Sequence, residues 1–302
     1  MTKKRLTAYL TLTFVSLLWG IASPVIKYTL NYIPPYSFLF WRFLFTSIIF
    51  LPFFVYFFLR QPIKDKDWPW LIFLGFLSTP LNLILLFIGY EKTTSMDGVL
   101  ISSTAPIFIT LGGALFLKEK VTKIERIGLV VATVGSITTI SQPIFEGSLF
   151  KGNLVGNLFV FISVLAWVLY ILLAKKKVFK YNPVIPTAIG FFVGLITIIP
   201  FVLFFEKSFP NYQLLITNYS NALPGILYMV IFSSVIAYTL YLYGLSLIEA
   251  SEATLFAYLQ PVFAAPIALI WLGEKITLPF IIGAIIITLG VLMSEFKPKI
   301  SH

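Results

Sequence analysis

Eight polar or aromatic residues stand inside runs that are otherwise apolar: Trp19, Asn82, Ser103, Trp167, Tyr170, Tyr238, Tyr258 and Gln260. Their chemistry is recognition. Indole and phenol rings stack on an apolar solute, while the amides and hydroxyls of Asn82, Ser103 and Gln260 exchange hydrogen bonds with it. Catalytic chemistry has little to draw on. There is no cysteine to act as nucleophile or thiolate ligand, and the single histidine is His302 in the tail. All twelve carboxylates lie at or near the ends of apolar runs, which argues against a carboxylate-based proton pump. No metal and no cofactor is expected.

Three further residues are candidates for gating. Pro106 and Pro261 fall in the middle of apolar runs. A proline there lacks an N–H and releases the carbonyl four residues earlier, Ser102 or Ala257, which then needs a partner or a polar cavity. A packed kink and a hinge beside a solute path both satisfy this. Arg42 is a charge well inside a span. It either attracts an anionic group from the outer half of a cavity or snorkels to the headgroups and pairs with helix-end carbonyls. Lys27 lies nearer the rim, where snorkelling accounts for it.

The elements that must position these groups are membrane helices. The chain has 302 residues, 59% hydrophobic and 11% charged, far too apolar for a soluble domain of that length. About 20 mostly apolar residues cross a bilayer as a helix. Such runs predict ten spans near 7–27, 36–59, 70–90, 97–117, 126–144, 153–174, 183–205, 223–246, 252–272 and 277–294. With the N-terminus inside, 16 of the 22 Lys and Arg fall in cytoplasmic segments and 4 in outer ones. The positive-inside rule therefore puts both termini in the cytoplasm of a cell (inner or plasma) membrane. The net charge of +10 sits in short clusters between apolar runs, so lipid headgroups account for it and nucleic acid does not.

The span at 97–117 occurs twice. An offset of 155 positions aligns 89–135 with 244–290 without a gap, pairing Pro106 with Pro261, Phe108 with Phe263, Glu119-Lys120 with Glu274-Lys275 and Gly135 with Gly290. An offset of 148 pairs Trp19, Lys27 and Pro52 with Trp167, Lys175 and Pro200. Two five-helix halves, 1–145 and 146–302, follow from this duplication. An odd number of spans in each half turns the second upside down. Lys118, Lys123 and Arg126 agree, because they align with Gly273, Leu278 and Ile281 where the loop changes side. Inverted repeats meeting at a midplane site are a transporter architecture.

Polar and small residues form one stripe on each of six spans. Close helix packing explains most of the small ones. It explains Asn82, Tyr170, Tyr238, Tyr258 and Gln260 less well, since each needs a partner at membrane depth. Asp97 and Glu252 begin equivalent proline-bearing spans, where an acid meets the helix dipole favourably, so capping is expected first and gating second.

Trp19-Gly20, Arg42, Pro106 with Glu119, and Pro261 with Gly273-Glu274 together resemble the ten-helix EamA-type branch of the drug/metabolite transporter superfamily, over nearly the whole chain. The resemblance implies an all-α carrier working by alternating access, often exporting amino acids or other small metabolites, with a cavity lined by spans 1, 3, 4, 6, 8 and 9. One departure is Lys118, which stands where the second copy has Gly273. The expected partners are a small-molecule substrate, uncharged or zwitterionic and partly apolar, and membrane lipid, for a chain acting as a monomer. A membrane-embedded enzyme for lipid or isoprenoid substrates is the alternative, and it would need inward acid/base or metal-binding groups.

Overall fold

The computed structural model describes residues 3–93, 95–102, 104–118, 122–140, 154–177, 180–206, 219–273 and 278–295, among which there are helices and no strands. Helices suit long apolar runs in lipid, because each helix satisfies its backbone polar groups within its own segment. In chain order they are α1 (Lys3–Leu30), α2 (Pro35–Arg60), α3 (Asp65–Lys92), α4 (Ser95–Ser102), α5 (Ala105–Leu117), α6 (Lys123–Ile140), α7 (Leu154–Lys177), α8 (Val184–Phe205), α9 (Asn221–Leu247), α10 (Ala250–Leu272) and α11 (Leu278–Glu295). Large apolar side chains project outward from them, among them Leu59, Ile196 and Phe204, the last 82% exposed. An aqueous surface would not carry that belt, and a bilayer requires it. The protein is an all-α integral membrane protein.

Seven of these helices are long and apolar enough to cross a bilayer, where the sequence predicts ten crossings. Shorter apolar helices, Ala105–Leu117, Arg126–Gly135 and Ile281–Gly290, stand at the other three predicted positions. The boundary between 145 and 146 lies outside the described residues.

Contacts between helices recur at the sequence offsets of the duplication. α3 packs on α7 as α9 packs on α1, α10 packs on α1 as α4 and α5 pack on α7, and α2 with α8 and α6 with α11 form two further pairs. Finer features recur too. Lys27 Nζ donates to the carbonyls of Tyr90 (2.9 Å) and Thr93 (2.7 Å), and Lys175 Nζ donates to those of Leu245 (2.6 Å) and Ile248. Each lysine thus caps the carbonyl end of a neighbouring helix, where the dipole favours a cation. Lys27 does not snorkel as its place near the rim predicts. Lys118 and Gly273 close α5 and α10 in the same left-handed conformation, φ 56° and 64°, so the lysine adopts the turn that glycine makes at the aligned position. α3 and α9 both pass through a wider π-helical stretch, Leu77–Leu81 and Met229–Ile236.

Hydrogen bonds tie helix ends across the bundle. Ser37, in the first turn of α2, donates its N–H (3.0 Å) and its hydroxyl to Glu206 at the end of α8. Burial pushes the Glu206 carboxyl above its ordinary range.

Candidate functional site

Trp19 and Trp167, which the offset of 148 pairs, meet edge to face with ring centroids 5.5 Å apart. Tyr238 and Tyr241 from α9 close the cluster, 5.4 and 5.0 Å from Trp19. Beside it lies an interior cavity of about 160 Å³, more than ten times what one ordered water needs, roughly 10–15 Å³. Its walls come from α1, α2, α3, α4, α5, α7, α9 and α10.

Helix irregularities shape this wall. Pro106 and Pro261 occupy the first turn of α5 and of the last segment of α10, where a missing N–H costs nothing. They do not interrupt continuous α-helices as the sequence predicts. A break at Thr104 and a 3-10 segment at Leu255–Leu259 precede them. Ser102 and Ala257, the residues whose carbonyls the prolines were expected to release, both line the cavity. The π-helical stretch of α9 presents Ser233 and Ser234. Ser234 Oγ donates to the Met229 carbonyl five residues back (2.7 Å), while the Ser233 carbonyl accepts the indole N–H of Trp19 (3.2 Å). Such bulges are frequent at functional sites.

Among the residues singled out from sequence, Trp19, Arg42, Asn82, Trp167, Tyr238 and Gln260 line the cavity. Asn82 Nδ2 donates to the Ser163 carbonyl (2.8 Å), and the Tyr238 hydroxyl reaches the Ser78 carbonyl at 3.4 Å. Tyr170 and Tyr258 are placed elsewhere. Tyr170 packs behind Trp167 at 5.3 Å, and Tyr258 is fully buried with its hydroxyl 3.0 Å from that of Thr133 on α6. Ser103 lies outside the described residues, as do Glu119, Glu274 and the Asp97 side chain.

Arg42 does not snorkel: it is 1% exposed. Its Nε donates to Ser234 Oγ at 2.8 Å and its Nη2 to Ser233 Oγ at 3.4 Å, with the Phe87 ring 5.7 Å away. Sequence reading missed Tyr90, whose hydroxyl is 3.0 Å from Ser23 Oγ. Its spacing was the available signal, since Asn82, Leu86 and Tyr90 are four apart and all three face the cavity.

The cavity reaches Tyr90, close to the end of α3, and stops short of the other end of the bundle. There Glu252 is 4% exposed and accepts Arg5 Nη2 on both oxygens, at 3.0 and 2.9 Å, together with the Tyr9 hydroxyl. α10 begins without a side-chain cap bond, so Glu252 serves a cross-bundle ion pair where the sequence predicts a cap. The rings of Tyr9 and Phe256 meet at a tilt beside it, centroids 5.3 Å apart, and Ser16 Oγ donates to the Phe256 carbonyl at 2.6 Å.

A lipid-belted bundle around a polar and aromatic cavity defines the class of multi-pass membrane transporters, and the similarities of the chain agree. The model of the EamA-like transporter family matches residues 6–141 and again 154–296, and the chain belongs to that family. It is 29% identical over 289 residues to an "uncharacterized transporter" of Archaeoglobus fulgidus, covering 96% of this chain and 97% of that one. It is 28% identical to the Bacillus subtilis "uncharacterized transporter YyaM", covering 97% of this chain and 94% of that one. A crystal structure with 14% identity superposes with a TM-score of 0.74 over 95% of this chain and 96% of the other, which establishes likeness of fold.

Proposed function

We propose that the protein is a secondary transporter that moves small metabolites, amino acids or other zwitterionic or aromatic solutes, out of the cell by alternating access. In this reading ten crossings form two inverted halves, 1–145 and 146–302, in the cell membrane with both termini cytoplasmic. The observation that carries it is the cavity where Trp19 and Trp167 meet, walled by helices of both halves. Its rings and single polar groups suit a partly apolar solute better than a nucleotide. The Arg5–Glu252 pair holds the cytoplasmic end shut while the cavity reaches outward to Tyr90. Opening that pair and closing around Tyr90 and Ser23 would expose the same walls to the other side, with the breaks at Pro106 and Pro261 absorbing the bend. Membership of a transporter family and the names of the relatives support the reading.

Counterflow of radiolabelled amino acids and aromatic solutes in proteoliposomes tests it. Saturable exchange of at least one solute is expected, and no exchange across a broad panel would overturn the proposal.

A further inference from the structure

Among the described residues, nothing balances the cation that the cavity holds. Arg42 lines the wall at 1% exposure, and no Asp or Glu is among the lining residues. A guanidinium carries five N–H donors. One, on Nε, is well bonded to Ser234, and one on Nη2 reaches Ser233 at the long distance of 3.4 Å. Nη1, with two donors, is buried and has no hydrogen-bond partner among the described residues. Both existing acceptors are neutral hydroxyls, and the Phe87 face adds a weak cation–π contact. A buried charge left in this state is costly, and a buried arginine ordinarily has a carboxylate on its fork.

The surroundings hold the fork still. Ser234 is fixed in turn by its bond to the Met229 carbonyl, and Ser233 by the indole of Trp19 on its carbonyl. One residue, Ser233, therefore ties the cation to the aromatic cluster, so a solute bonded at Nη1 has the rings of Trp19 and Tyr238 within the same cavity.

We infer that Arg42 is the anchor for the carboxylate of a small, apolar organic acid, its Nη1 edge taking the carboxylate oxygens while the aromatic cluster takes the apolar body. This rests on the transporter reading and narrows its solute. A positive wall with no acidic residue among the described ones favours an anion over a zwitterion, whose ammonium group would meet only carbonyls and rings, and it disfavours an amine.

The test uses phenylacetate, phenylalanine, phenylacetamide and phenethylamine, which share one ring and differ in charge. Binding to the purified protein is read from tryptophan fluorescence, since Trp19 and Trp167 border the cavity. Phenylacetate is expected to bind saturably and at least tenfold more tightly than the amide or the amine, with phenylalanine between. Arg42→Gln should abolish the preference for phenylacetate and Arg42→Lys should keep part of it. The comparison on the unaltered protein stands even if a variant fails to fold. Equal binding of the amide, preference for the amine, absence of carboxylate binding, or competition by chloride at the affinity of phenylacetate would each overturn the anchor. Exchange of only uncharged solutes in proteoliposomes would overturn it while leaving the transporter reading intact, whereas exchange of nothing strikes that reading itself.

Discussion

In the proposed orientation, Glu252→Gln should unlock the cytoplasmic end of the cavity. In the present conformation the carboxylate is 4% exposed and takes two bonds from Arg5 and one from Tyr9. Removing one partner of a fully buried ion pair costs about 3–5 kcal/mol. The Arg5 side chain is 31% exposed and can rehydrate, which lowers the expected loss to about 2–3 kcal/mol. If the pair exists only while this end is closed, the loss shifts the closed-to-open equilibrium by roughly 30- to 140-fold at 1.4 kcal/mol per decade. The chain has no cysteine, so one introduced at Val15, a cavity-lining residue 2% exposed, reports on access without background. An impermeant thiol reagent applied from the cytoplasmic side should label Val15→Cys at least tenfold faster in the Glu252→Gln chain. A rate within twofold of the parent would refute the lock.

Six other substitutions, at five positions, probe the packing around the site. A Cβ on Gly20 would lie 2.6 Å from the Gln260 carbonyl oxygen and 2.9 Å from Phe263 Cβ, so Gly20→Ala must push α1 from α10; a loss of about 1–3 kcal/mol in thermal unfolding and slower exchange are expected, and unchanged behaviour in both would contradict the close approach. Lys118→Gly should stabilise by about 1 kcal/mol and Gly273→Ala should destabilise by a similar amount, since both residues are left-handed and nothing lies within 4 Å of a Cβ at Gly273; melting temperatures in detergent check the pair. Tyr238→Phe keeps the ring contacts with Trp19, Trp167 and Phe191 and should retain solute exchange, whereas Tyr238→Ala and Asn82→Ala should lose most of it at comparable folded yield.

The sequence was most informative where the duplication constrains it. Trp19 with Trp167 and Pro106 with Pro261 are equivalent residues, and the first pair meets at the cavity while the second follows the two helix breaks. Tyr258 shows where that reading ran out. Its stripe assumed α-helical geometry, with about 100° per residue, but Leu255–Leu259 is a 3-10 helix turning about 120° per residue. From Thr254 to Tyr258, four residues accumulate about 80° of extra rotation, which turns the ring from the cavity towards α6. Lys27 and Glu252 have partners far along the chain, at Tyr90 and Thr93 and at Arg5, which no local pattern announces. Arg42 was legible as a charge in an apolar run, but the unpaired nitrogen that gives it chemical meaning needed Ser233 and Ser234 in place.

Alternating access makes one cavity visible from both sides. Ala257 lines that cavity beside the break before Pro261, and in a chain without other cysteines Ala257→Cys is a single reporter. In sealed vesicles of known orientation an impermeant thiol reagent should label it when added outside and, in separate vesicles, when loaded inside. Glu252→Gln should favour inside labelling. Labelling from one side only, in both the parent and the Glu252→Gln chain, would contradict the account.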